Sequence, residues 1–282
     1  RADMALRAAD GTGLQVYTND SNAVALQDVT VSLHRFNIGD ALAMIPYTPD
    51  VEGILDGDFH LIQTASELSV SSSVGVRGMV YEGCPMGNVA TEFTYMPKSD
   101  GSHYVDGTLS HNGAEVGTLT GTYVSAGRGV LDATLSLERL PLELANGFIP
   151  DRLFGFKGYA EGDLSVRGSL ARPDVNGEVF LDSAYIFSEP YGVEMRFAND
   201  PVSIEDSRLQ FENFEVFAHN DSPLNVKGYF DFSDMSRMLL DVRMRADNYL
   251  LVDARETGRS EAYGKAYVNF FGLMQGPVDN LR

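Results

Sequence analysis

The sequence has no tryptophan and only one cysteine, Cys84. One thiol cannot close an internal disulfide, so a disulfide-stapled fold is excluded, while an oxidising compartment is not. Basic residues are scarce: 21 Lys and Arg stand against 40 Asp and Glu, a formal charge of −19. Phosphate-backbone binding needs clustered Lys and Arg, so no nucleic-acid partner is expected. Electrostatic docking on anionic headgroups is disfavoured for the same reason. No apolar run approaches the roughly 20 residues of a membrane-spanning helix. Nucleotide motifs are missing too. Gly264-Lys265 lacks the rest of a phosphate loop, and Gly11-Thr12-Gly13 sits in a polar start, so neither NTP nor a dinucleotide cofactor is expected.

Catalytic constellations are equally thin. His34, His60, His103, His111 and His219 are scattered, with none at helical metal-ligand spacing from another. Cys84 has no neighbouring histidine, and no GxSxG elbow occurs. Asp56-Gly57-Asp58 and Glu161-Gly162-Asp163 lack the remaining oxygen ligands of a calcium loop and read as turns. No carboxylate pair is marked by spacing as a glycosidase dyad. The chain is therefore expected to be no enzyme, with no cofactor and no metal.

What is present is β pattern. The chain has 282 residues, with 28 Gly, 16 Phe and 13 Tyr. Apolar residues alternate with polar ones at Leu131, Ala133, Leu135 and Leu137, at Leu164 and Val166, and at Leu240, Val242 and Met244. Leu224, Val226 and Phe230 share a parity in the same way. Period-2 alternation predicts an antiparallel sheet with one apolar and one wet face. Asp56-Gly57, Asn112-Gly113, Asn146-Gly147 and Glu161-Gly162 read as turns. Two segments, Phe36 to Pro46 and Leu140 to Pro150, read as short helices closed by proline, covering an edge or end of the sheet.

Those two segments reveal an internal repeat. Phe36, Met44, Ile45 and Pro46 align with Leu140, Phe148, Ile149 and Pro150 at an offset of 104. Gly53, Gly57, Phe59 and Leu61 align with Gly158, Gly162, Leu164 and Val166. Val76, Gly78 and Val80 align with Val175, Gly177 and Val179, and Leu119, Gly121 and Tyr123 with Val226, Gly228 and Phe230. A third copy starts near Tyr249, where Tyr263-Gly264-Lys265 echoes Lys157-Gly158. Residues 1–282 therefore read as one continuous β-array with units 31–134, 135–245 and 246–282. The last is partial, so the stop at Arg282 is expected to fall inside a unit. Repetition of an amphipathic sheet unit implies neighbours stacked along one axis.

A long sheet must bury its apolar face. A second sheet would serve, and so would strong curvature around that face. If the curved sheet stays partly open, it forms an apolar trough. Each buried CH₂ of a lipid chain contributes about 0.8 kcal/mol, so a chain of about sixteen carbons gains on the order of 10 kcal/mol relative to water. The residues expected to line the trough are Phe59, Leu61, Val80, Leu164, Val166, Val179, Leu181, Leu209, Phe211, Leu224, Val226, Leu240, Val242 and Met244. Ordinary β core uses the same alternation.

Particular residues also resemble a known family. Gly162, Leu164, Val166, Gly168, Ser169, Leu170, Pro173, Val175 and Gly177 follow the G-x-L-x-V-x-G-S-L-x-x-P-x-V-x-G signature of the TamB family, the translocation and assembly module subunit. Leu140 to Pro150 resembles that family's short helix. Asp206, Ser207, Leu209 and Phe211 resemble its D-S-x-L-x-F strand. Asn248 to Ala254, with Gly264-Lys265 and Gly276-Pro277, is similar to Bacteroidetes-type members. The resemblance implies a periplasmic protein whose full-length form is anchored in the inner membrane. It implies a "β-taco", an open half-barrel with an apolar interior, as in AsmA-like and bridge-like lipid-transfer proteins. It also implies phospholipid transport between inner and outer membrane, outer-membrane protein translocation and assembly, or both. The implied partners are phospholipid acyl chains or unfolded outer-membrane strands, and a BamA- or TamA-type barrel. The alternative is a structural or adhesive β-array that binds proteins or glycans through its polar face.

Overall fold

The computed structural model describes residues 3–19, 24–42, 49–125, 129–148, 155–169, 172–188, 193–199, 201–234, 236–254 and 264–277. Among the described residues seventeen strands belong to an all-β antiparallel sheet, and the chain divides into two compact units, Arg1–Ser136 and Leu137–Arg282. The first holds β1 (Met4–Arg7), β2 (Gly13–Thr18), β3 (Gln27–Asn37), β4 (Val51–Gln63), β5 (Leu68–Tyr81), β6 (Cys84–Pro97), β7 (His103–His111) and β8 (Ala114–Val124). β9 (Val130–Pro141) spans the division. The second holds β10 (Gly155–Ser169), β11 (Arg172–Ser188), β12 (Val193–Phe197), β13 (Val202–Glu205), β14 (Arg208–Phe217), β15 (Leu224–Asp231), β16 (Leu239–Ala254) and β17 (Gly264–Pro277).

Within the first unit each strand from β1 to β8 pairs antiparallel with the next in sequence. A two-residue hairpin with a type I′ turn needs both central residues at positive φ. Glu82-Gly83 and Asn112-Gly113 supply them, at φ 48° and 68° and at φ 50° and 86°. In the second unit β12 and β13 share one position in the sheet, since both pair with β11 and with β14. The β13–β14 turn uses Asp206 and Ser207, both at positive φ. Ser207 is buried; its hydroxyl donates to the Pro173 carbonyl and accepts from the Val175 N–H, which holds this strained turn against β11.

The expected helices form at matching places. α1 (Ile38–Leu42) follows β3, and a 3₁₀ segment, Leu142–Phe148, follows β9. Asn37 caps α1 through the Gly39 N–H. Asn146 ties the 3₁₀ segment to β10, giving a hydrogen bond to the Phe156 carbonyl and taking one from its N–H. Pro46, Pro150, Leu170, Tyr263 and the C-terminal residues 278–282 lie outside the described residues.

Three expected turns are absent. Asn146-Gly147 lies in the 3₁₀ segment, while Asp56-Gly57 and Glu161-Gly162 lie inside β4 and β10. The two strand glycines serve close strand approach instead of chain reversal. A Cβ on Gly57 would meet the Ser73 carbonyl oxygen at 2.8 Å and the Val74 Cα at 2.9 Å. Gly162 has φ +151°, and its Cβ would meet the Glu178 oxygen at 2.2 Å.

The repeat is visible in the bulges. Apolar alternation on β3, β9 and β16 ends in each case at a left-handed residue: Arg35 at φ 48°, Arg139 at φ 51° and Asn248 at φ 54°. The next strands bulge at Gly53 and Gly158, and the ones after them at Gly78 and Ser183. This corrects one part of the alignment. Leu164 pairs with Gly177, and its equivalent Phe59 pairs with Ser72, so the counterpart of Gly177 is Ser72. The structural counterpart of Gly78 is Ser183.

Candidate functional site

Residues directly opposite in antiparallel strands share a face, so the registers decide which side chains lie together. In the second unit Leu164 and Val166 face Gly177 and Val175, and Ala160 faces Leu181. Val179 faces Val202, Gly177 faces Ile204, and Ile204 faces Leu209. Leu209 and Phe211 face Phe230 and Gly228, and Val226 lies between Phe214 and Met244. Leu240 and Val242 continue to Gly276 and Met274. All the expected trough residues of this unit therefore share one face. In the first unit Phe59 and Leu61 face Val31 and Val29 on one side and Ser72 and Val70 on the other. Phe93 and Tyr95 continue that row. Val80 lies beyond the β5 bulge, at the end of the strand, opposite Glu52 and Pro85.

This face is neither closed nor bare. Leu164, Val202, Ile204, Val216, Val242 and Ala246 are buried, whereas Val166, Val179, Leu181, Leu209, Phe211, Leu224, Val226, Leu240 and Met244 are half-buried. In the first unit Phe59 stays 39% exposed and Phe93 38% exposed. A sandwich core would cover these rings, since packed interiors leave few voids larger than a water molecule.

The bulges add residues that strict alternation passes over. Phe211 and Phe214 have opposite parity, but Asn213, at φ 64°, lets both face the same way, with ring centres 5.8 Å apart. Phe197 lies 5.3 Å from Phe214, and Phe156 6.3 Å from Phe197, so an aromatic row crosses β10, β12 and β14. Asn248 does the same for Tyr249, which pairs with Val268 and is 3% exposed. An asparagine between apolar residues three apart is the signal available for both sites, because asparagine tolerates the left-handed region.

Tyr249 brings a polar atom to the apolar face. Its hydroxyl has no hydrogen-bond partner among the described residues, and burial pushes the phenol up to about 12. An unpaired buried hydroxyl costs about 1–3 kcal/mol. Tyr249→Phe is therefore expected to leave the apparent melting temperature of lipid-free protein unchanged or raise it. A clear drop would show that the hydroxyl has a partner. Tyr95 lies farther along the first unit's face, stacked on His103 at 4.5 Å, and burial, then the charge of Tyr123, raises its pKa.

The opposite face is polar. On β3 and β4 the Asp28 carboxylate accepts from Asn19 and pairs with His60 at 2.8 Å, and Ser32 donates to Asp58. The His60 contact, then that of Asn19, holds Asp28 below the usual carboxylate range. Asp56, weighed above as part of a calcium loop, pairs with Arg77 at 2.7 Å and accepts from the Arg35 N–H. Arg208 meets Asp231 at 2.8 Å and Arg139 meets Asp182 at 2.9 Å. Burial pushes Asp231 up, but the Ser233 hydroxyl and Arg208 outweigh it and leave its pKa lowered. Asp28 and Asp231 are buried, whereas the Arg77–Asp56 and Arg139–Asp182 pairs are exposed and add little stability. Cys84 is half-buried and unpaired at the β5–β6 hairpin. Among the described residues no group of three or more His, Cys, Asp or Glu side chains is placed to hold a metal ion. No protein-family model, no curated protein and no solved structure matches the chain.

Proposed function

We propose that the chain is a segment of a TamB-like conduit whose apolar face carries phospholipid acyl chains between the inner and outer membranes. The observation that carries this reading is the half-open, one-sided apolar face, followed strand by strand through the registers of each unit. A lipid chain moving from a bilayer to such a face exchanges one hydrocarbon surrounding for another, so transfer is close to neutral and needs no nucleotide. The sequence signature at Gly162 to Gly177 supports the same reading, and with it a periplasmic setting and a barrel partner for the longer protein.

The test is binding. Purified chain stripped of lipid is titrated with a phospholipid carrying a fluorophore on its acyl chain. Saturable uptake, competed by unlabelled phospholipid but not by its soluble headgroup, is the expected result. Failure to take up the probe would set this function aside and favour the structural-array alternative.

A further inference from the structure

We propose that one end of the first unit's apolar face holds the ester linkage of a two-chain lipid, with Tyr95, His103 and Tyr123 as its hydrogen-bonding groups. This inference rests on the lipid reading above and adds which part of the lipid is recognised, and where. Tyr95 faces Val70 on β5 and Val105 on β7, so it belongs to the apolar row that starts from Leu61. His103 has the parity of Val105 and faces Pro97 on one side and Tyr123 on the other. All three side chains therefore share the apolar face, at the strand ends beside the β6–β7 turn. The Tyr95 and His103 rings stack at 4.5 Å with 7° between their planes, and the Tyr123 ring centre lies 6.4 Å from that of Tyr95. Gly129 makes room for the Tyr123 phenol, since a Cβ there would overlap its hydroxyl.

These groups have no partners within the protein. His103 Nδ1 is buried without a hydrogen bond, and among the described residues neither the other ring nitrogen nor the two tyrosine hydroxyls has a partner. A buried polar atom left unpaired is costly, and a ligand that pairs with it removes that cost. A few convergent polar groups in apolar surroundings are the common form of a small-molecule site. The chemistry then selects the ligand. Phenol hydroxyls and an imidazole N–H give hydrogen bonds without a fixed charge, and the adjoining turn sets Lys98 against Asp100. The match is therefore to neutral acceptors and not to a phosphate. Ester carbonyls are such acceptors, and in a phospholipid they stand where the acyl chains begin. From there the chains lie over Val105 and Gly107 toward Phe93 and Phe59, the partly exposed rings on either side of Ser72. The headgroup stays outside, past strand ends where Leu26, Leu68 and Val124 are exposed.

The test compares two lipids on the intact chain stripped of lipid: dioleoyl phosphatidylcholine and the diether with the same headgroup and chain length. The diether lacks both carbonyls, so a site built to donate to them loses its partners. The ester lipid is expected to bind at least about fivefold more tightly. Tyr95→Phe combined with Tyr123→Phe keeps both rings and removes the hydroxyls, and is expected to bring the ratio to within about twofold of unity. Tyr17→Phe, opposite Thr30 on the other face, is the control and keeps the ratio of the parent. An ester lipid with a diazirine on the carbon next to the carbonyl is expected to label β6, β7 and β8. Equal binding of the two lipids by the parent overturns this inference and leaves the conduit reading standing. A ratio unchanged in the double variant, or labelling confined to the second unit, overturns it in the same way. Uptake of neither lipid overturns the conduit reading and this inference with it.

Discussion

Val226→Asp is expected to abolish phospholipid uptake while leaving the far-ultraviolet circular dichroism of the strands intact. Val226 is half-buried on β15, opposite Phe214 on one side and Met244 on the other. With no lipid present, a carboxylate there reaches water, because the face is partly open. With an acyl chain laid over it, the same carboxylate loses its hydration and gains no partner. Proteins tolerate such uncompensated polar burial at a cost of about 1–3 kcal/mol, and more for a charge, so affinity should fall by at least roughly a hundredfold. Val166→Lys, opposite Val175, should behave alike. Asn225→Asp is the control, since Asn225 pairs with Glu215 and Arg245 and faces the other way. It should bind lipid as the parent does. If Val226→Asp unfolds the second unit instead, Val226 belongs to closed core and the conduit reading fails at that position.

The second large effect is on stability. Gly162→Val is expected to destabilise the second unit by about 3–5 kcal/mol, from the strained backbone and from overpacking together. The residue sits at φ +151° with the Glu178 oxygen where a Cβ would go, so neither rotamer change nor a small shift relieves the contact. Against a typical domain stability of about 5–15 kcal/mol this removes much of the margin. Gly264→Val, where an added Cβ meets nothing within 4 Å, is the matched control. Urea unfolding of the two variants measures the difference. A loss below about 1 kcal/mol at Gly162 would mean that β10 and β11 separate easily there, contrary to the packing described.

Much of this architecture is legible in the sequence. Leu240, Val242 and Met244 alternate with Asp241, Arg243 and Arg245, and the registers place the first set on the apolar face and the second on the polar one. The paired helical segments after β3 and β9 are legible for a similar reason, since proline and apolar spacing are local signals. What is not legible follows from the bulges. A left-handed residue inside a strand reverses the parity of everything after it, so Phe214 and Tyr249 reach the apolar face against a strict count of two. The same bulges hide the counterpart of Gly177, because a Val-x-Gly-x-Val match and a structural match fall six residues apart in β5. The Asp-Gly and Glu-Gly pairs mislead for another reason. Glycine serves a turn through its dihedral freedom and a strand through its missing side chain, and sequence alone does not distinguish the two uses.

The central claim is that the apolar face is open to lipid, and native mass spectrometry of the purified chain, with organic extraction and lipid analysis of the same preparation, tests it most directly. The account predicts a mass above that of the polypeptide by one or more phospholipids, lost on extraction and recovered in the organic phase in near-stoichiometric amount. A bare polypeptide mass that stays bare after incubation with phospholipid vesicles would mean that the face is closed on itself, and would contradict the account.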